Sequence, residues 1–204
     1  PEFAPKEPLK LLDRKFSRQF YVEQARAFAW GQQPTLANFQ PSHLRDRPEE
    51  IAYALRLARI RQKGLKYLLH GEFISLPKID VPDIAADMSR LSIYAGQRGG
   101  LTEFRKHLPA VVAGAWRAPD GDRAIALASI ADHPVKFALS LQSEYSVWRI
   151  DHSGVKRDFY RAGTSKFWRI DESGRKLIDR NRLDRLIQVE LPPRGACLIE
   201  LTPD

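Results

Sequence analysis

The chain has 204 residues, 43% hydrophobic and 28% charged, with a formal net charge of +8. That is the balance of an ordinary globular protein, long enough for one sizeable domain or two small ones. No stretch reaches the roughly 18 consecutive apolar residues of a spanning helix, so no membrane partner is expected.

The opening PEFAPKEPLK has no apolar core and no cleavage site, and does not read as a signal peptide. FYVEQARAFAW reads as a helix whose end, AFAW, is equally compatible with a strand. PTLANF is compatible with a short buried strand. The order helix, short strand, long helix would be the rhythm of an α/β repeat.

RPEEIAYALRLARIRQKGLKYLLHGEFI gives the clearest helix. Pro48 suits its first turn, and Glu49 and Glu50 complement the positive end of the helix dipole. Ile51, Leu55, Ala58, Leu65 and Leu69 are expected on the apolar face, with Arg56, Arg59, Lys63 and Lys66 on another. Gly64 weakens the middle and Gly71 is a plausible stop.

VPDIAADMSRLSIYAGQRGGL reads as a linker that becomes a first strand over Ala85–Tyr94, with GQRGGL as a flexible turn. From Ala110 onward strand follows strand: VVAGAW, RAIALASI, VKFALSL, YSVWRI, RDFYRA, KFWRI, IQVEL and ACLIEL. Asp120-Gly121, Ser153-Gly154 and Ser173-Gly174 supply turn chemistry between them. WRIDHSGVK at Trp148 recurs as WRIDESGRK at Trp168, which predicts two hairpins turning at Ser-Gly. The tryptophans of this repeat, Trp148 and Trp168, are core residues or a sugar-stacking pair. The fold class is therefore α+β, with a helical segment over residues 1–84 and an antiparallel β-sandwich over 85–204.

LPAVVAGAWRAPDGDRAIALASIAD, followed near the end by VELPPRGACLIEL, resembles the β-sandwich that closes many glycoside-hydrolase barrels. RAFAWGQQPTLANFQPSHL and RLARIRQKGLKYLLHGEFI look like the last strand-helix unit of such a barrel. The resemblance, to poorly characterised bacterial glycosidase-like proteins, covers roughly residues 20–204. It implies a carbohydrate partner and makes residues 1–84 the tail of a (β/α)8-like barrel. A complete barrel needs about 200 residues, so most of it would lie outside this chain.

Glycoside hydrolysis needs two carboxylates flanking the scissile bond. Asp46, Glu49, Glu50 and Glu72 are the candidates in the helical segment, and none forms a convincing pair. Asp46 reads as an ion-pair or turn residue, Glu49 and Glu50 as first-turn residues, and Glu72 as a surface or capping group. The catalytic residues stay unassigned and are expected upstream. If AFAW or PTLANF were barrel strands, Trp30, Gln32, Gln33, Asn38 and Gln40 would follow their C-terminal ends, where barrels bind substrate. The indole could stack on a sugar and the amides could bond hydroxyls.

The single Cys197, in the alternating run GACLIEL, excludes a disulfide framework and reads as a buried strand thiol. The five histidines lack the i, i+4 spacing of a zinc site, and there is no P-loop, so neither metal nor cofactor is expected. The positive excess is concentrated in residues 1–109, with 18 Lys+Arg against 12 Asp+Glu. That keeps a basic nucleic-acid-binding reading in play as a second alternative, without a recognised motif to support it. The first alternative is a non-catalytic carbohydrate-binding or structural module. On any of these readings the apolar face of residues 48–74 must be covered by the β module, by a missing barrel portion or by a second copy of the chain.

Overall fold

The computed structural model describes residues 16–36, 39–91, 101–141, 144–151, 154–161, 165–180 and 185–203. The first element is helix α1, Ser17–Ala29. Tyr21, Val22, Ala25, Phe28 and Ala29 recur at helical spacing and are all buried. Because Phe28 and Ala29 stay in phase with that stripe, AFAW is not a strand; the helix runs through it and Trp30 is its C-cap. The described part of PTLANF is irregular too, so helix, loop, helix replaces the expected α/β rhythm.

A one-turn helix α2, His43–Asp46, leads into α3, Pro48–Lys63. Pro48, Glu49 and Glu50 occupy the first turn of α3 as expected. The buried face differs from the expected one. Ile51 belongs to it, but Tyr53, Leu57 and Ile60 form its main stripe, while Leu55 and Leu69 are about half exposed. Counting aliphatic side chains alone missed the tyrosines, which bury large rings. The helix also stops at Lys63, and α4, Leu65–Leu68, starts in a new phase. Gly64 at that break lies against Leu198, where a Cβ would collide with the leucine side chain.

Twelve strands follow among the described residues. They are β1 (Glu72–Ser75), β2 (Asp83–Leu91), β3 (Leu101–Pro109), β4 (Val111–Arg117), β5 (Arg123–Ser129) and β6 (Val135–Leu141). Then come β7 (Glu144–Asp151), β8 (Gly154–Arg161), β9 (Ser165–Asp171), β10 (Gly174–Arg180), β11 (Arg185–Leu191) and β12 (Ala196–Pro203). The first strand expected at Ala85 begins at Asp83, and GQRGGL falls almost wholly outside the described residues. The architecture is mixed α+β, with antiparallel pairing. The main sheet has the order β1-β4-β5-β12-β9-β10, and β6/β11, β2/β3 and β7/β8 form two-stranded sheets. The WRID repeat makes equivalent hairpins, with Asp151 opposite Gly154 in one and Asp171 opposite Gly174 in the other.

Period-2 alternation divides the central strands between two cores. Ala124, Ala126, Ala128, Ala196 and Leu198 face the helices. Ile125, Leu127, Cys197 and Ile199 face the opposite way, against Phe137, Leu139, Val189 and Leu191 of the β6/β11 pair. On the helix side the sheet presents small residues, and the bulk comes from Tyr21, Phe28, Tyr53 and Tyr67. Large against small is how two layers interdigitate at close range. The apolar stripe of α3 is thus covered by the β module of the same chain. The division expected at 84/85 meets a continuous core, and β1, from the segment before it, pairs with β4.

Cys197 lies at the centre of the second core, and burial pushes its thiol up to about 12. The thiolate is the reactive form, so iodoacetamide at pH 8 is expected to leave the folded protein unlabelled. Mass spectrometry should show one adduct after denaturation; rapid labelling of the native protein would contradict the burial.

Candidate functional site

The basic face of the helical half is turned onto the β module. Arg56 Nε donates to Glu172 Oε2 at 2.8 Å, and its Nη1 donates to the Arg194 carbonyl at 2.8 Å. Arg59 reaches Glu172 at 3.5 Å, and Lys63 Nζ donates to the carbonyls of Asp171 and Glu172. Lys66 pairs with Asp120 at 2.7 Å and also with Asp122. Partial burial pulls the Lys66 ammonium down, but its bonds to Asp120 and Asp122 outweigh this and leave it above its ordinary value. The hairpin turn at Asp171–Glu172 thus presents acidic and carbonyl oxygens to α3, and the turn at Asp120–Asp122 presents carboxylates to α4. Arg56, Lys63 and Lys66 are thus engaged within the chain, while the Arg59 side chain stays mostly exposed. Glu172→Gln is expected to cost no more than about 1 kcal/mol, since the carboxylate is partly exposed. The cost should shrink with added salt, as urea titrations at 20 mM and 1 M NaCl would show.

Arg194, in the Pro-Arg-Gly turn before β12, fastens the other helix. Its φ is +53°, unusual for a side-chain-bearing residue. Its guanidinium lies 4.0 Å from the centre of the Tyr21 ring and donates to the Ile130 carbonyl. The C-terminal end of α1 is held by Trp116, whose Nε1 donates to the Ala29 carbonyl at 2.9 Å.

Where α1 leaves the sheet, a groove of about 290 Å³ opens between α1, the Leu76–Ile79 connection and the strand ends near Pro109 and Val111. Its walls are aliphatic, including Val22, Leu76, Ile79, Leu108 and Val112. Its polar side chains are Arg26, Trp30 and Lys78. Trp30 is 36% exposed, and the Arg26 guanidinium sits 5.5 Å from its ring centre.

Of the substrate-binding candidates, Trp30 alone lines this groove. Gln32 and Gln33 are exposed on the following loop. Gln40 is exposed as well, its backbone N–H donating to His43 Nδ1 at 3.2 Å. Asn38 lies outside the described residues. Trp168 is partly buried with the Arg175 guanidinium 3.9 Å from its ring centre, so that face is not open to a sugar. Trp148 is on β7, and its side chain lies outside what the structure describes.

The carboxylate candidates of the helical segment stand in local roles. Arg45 bonds Asp46 at 2.8 Å, and this bond holds the Asp46 carboxyl below its usual range. Glu50 is buried and accepts from Ser17 Oγ at 2.6 Å, while Glu49 is exposed. Glu72 pairs with Arg117 at 2.6 Å. The carboxylate that sequence reasoning missed is Glu200. It is buried on the helix-facing side of β12, accepting from Tyr67 Oη at 2.6 Å and pairing with Arg175 at 2.6 Å. Burial first, and then that hydrogen bond to Glu200, raise the Tyr67 hydroxyl far above its ordinary value. The signal was present in ACLIEL, where Glu200 shares the inward parity of Leu198. No helix among the described residues is long and apolar enough to cross a membrane. A scan against models of known protein families finds no match, and a search of curated proteins finds none either.

Proposed function

We propose that the chain is the C-terminal portion of a carbohydrate-active, glycoside-hydrolase-like enzyme. Its β module is the accessory domain, the helical half joins that module to the catalytic barrel, and the catalytic carboxylates lie upstream of this chain. The reading rests on the resemblance of residues 108–132 and 189–201 to the β-sandwich of such enzymes; Asp46, Glu50, Glu72 and Glu200 each hold a hydrogen-bond or ion-pair partner within the chain, in keeping with catalytic carboxylates upstream. Hydrolysis instead requires one carboxyl kept protonated and another kept ionised on either side of a substrate. A bracing role for the β module agrees with the apolar core and ion pairs that fix it to α1, α3 and α4.

The test is the intact mass of the native polypeptide, captured with an antibody to this chain. A product several times heavier than 23.3 kDa is the expected result. A native product near that mass would overturn this reading.

A further inference from the structure

We infer that the groove beside Trp30 is a binding site for a small amphipathic carboxylate, its hydrocarbon part along the aliphatic walls and its carboxylate at Arg26 and Lys78. This goes beyond the carbohydrate reading and does not depend on it. Three observations carry it.

The first is size. An apolar cavity of about 150 Å³ accepts a benzene ring. A groove of about 290 Å³ therefore takes on the order of a dozen non-hydrogen atoms. The second is wall chemistry. Leu76, Ile79 and Val112 offer carbon surface and few hydrogen-bond partners, and Val22, Leu108 and Ile130 are the buried side chains among the lining. A sugar of the same size would leave most of its hydroxyls without partners, which is costly on burial. A hydrocarbon loses nothing there.

The third is charge. Among the described residues the groove is lined by Arg26 and Lys78 and by no carboxylate. Arg18, Arg56, Lys66, Arg117 and Arg175 all have acidic partners. Arg26 contacts the Trp30 ring instead. Its place in the last turn of α1 suits the helix dipole, but that leaves its planar fork of N–H donors available for a carboxylate. Trp30 closes one side of the groove and supplies a local probe.

Decanoate, with twelve non-hydrogen atoms, is the probe acid, and 1-decanol is its neutral counterpart. Binding would be followed by calorimetry and by the indole N–H resonance of Trp30. Decanoate is expected to saturate the site with a dissociation constant on the order of 100 µM, shifting the Trp30 resonance. 1-Decanol should bind at least tenfold more weakly. Arg26→Gln and Lys78→Gln should each weaken decanoate about threefold to tenfold and leave decanol unchanged. Lys78 is exposed on a connecting segment, so its substitution keeps the test clear of folding effects. No saturation below about 5 mM would overturn the proposal. So would equal affinity for acid and alcohol, or indifference to both substitutions. A native mass near 23 kDa would overturn the glycosidase reading and leave this site untouched.

Discussion

Glu200→Ala is expected to lower the unfolding free energy by about 3 kcal/mol, at the lower end of the range for breaking a buried ion pair. Glu200 is 5% exposed and accepts from both Tyr67 and Arg175. Truncation leaves the Tyr67 hydroxyl buried without its acceptor and opens space where the carboxylate was. Arg175 is about half exposed, so its charge can turn to water, and the full penalty of an isolated buried ion does not apply. For a chain of this length, about 3 kcal/mol corresponds to a fall of roughly 6–12 °C in Tm, readable by circular dichroism. The double substitution Glu200→Leu with Arg175→Leu should recover part of the loss, because an apolar replacement of the whole pair leaves no unpaired charge. Tyr67→Phe should cost less than Glu200→Ala, since the carboxylate keeps Arg175. If Glu200→Ala were as stable as the parent, the Tyr67–Glu200–Arg175 chain would not be a structural link.

Much of the β module was legible because its signals are local. Strands such as RAIALASI alternate between two buried faces, and Asp120-Gly121 and Ser173-Gly174 mark turns that need no knowledge of the rest of the chain. The repeated WRID segments gave two hairpins for the same reason. The helical half was less legible because its boundaries depend on contacts with the sheet. AFAW carries strand-compatible residues, yet Phe28 and Ala29 are buried against the sheet on the stripe begun by Tyr21. The face of α3 was misread because its largest buried residue, Tyr53, is not aliphatic, and because the helical phase breaks at Gly64 between α3 and α4. The basic stripe invited a nucleic-acid reading. Its partners, Glu172, Asp120, Asp122 and the carbonyls of the 171–172 turn, lie at least 50 residues further along the chain. Spacing within one helix cannot show that. The groove was invisible for the same reason: Trp30 could be singled out, but Lys78, Leu108 and Val112 meet it only through the fold.

Gly114→Ala is expected to cost about 3 kcal/mol, because the added methyl group falls on the backbone carbonyl of Ala29 and near the Phe73 ring. A backbone atom cannot swing aside as a flexible side-chain end can, so the last turn of α1 must lift from β4. Overpacking of this kind costs about 1–3 kcal/mol. The displacement also strains the bond from Trp116 Nε1 to the Ala29 carbonyl, and an unpaired buried donor costs about 1–3 kcal/mol. Two readouts separate this account from a general loss of packing. The Trp116 indole N–H should exchange with solvent at least tenfold faster in the variant, and the Trp30 resonance should shift because its helix end has moved. Gly121→Ala is the comparison. Gly121 has a φ of +91° and nothing near the position of an added Cβ, so its cost is backbone strain alone, about 1–2 kcal/mol. Equal losses at the two positions would mean that the seat of α1 on β4 is not set by the missing side chain. A larger loss at Gly114, with faster Trp116 exchange, would give Gly114 and Trp116 a single role. These two residues would receive the end of the helix that carries Trp30, and so fix the groove.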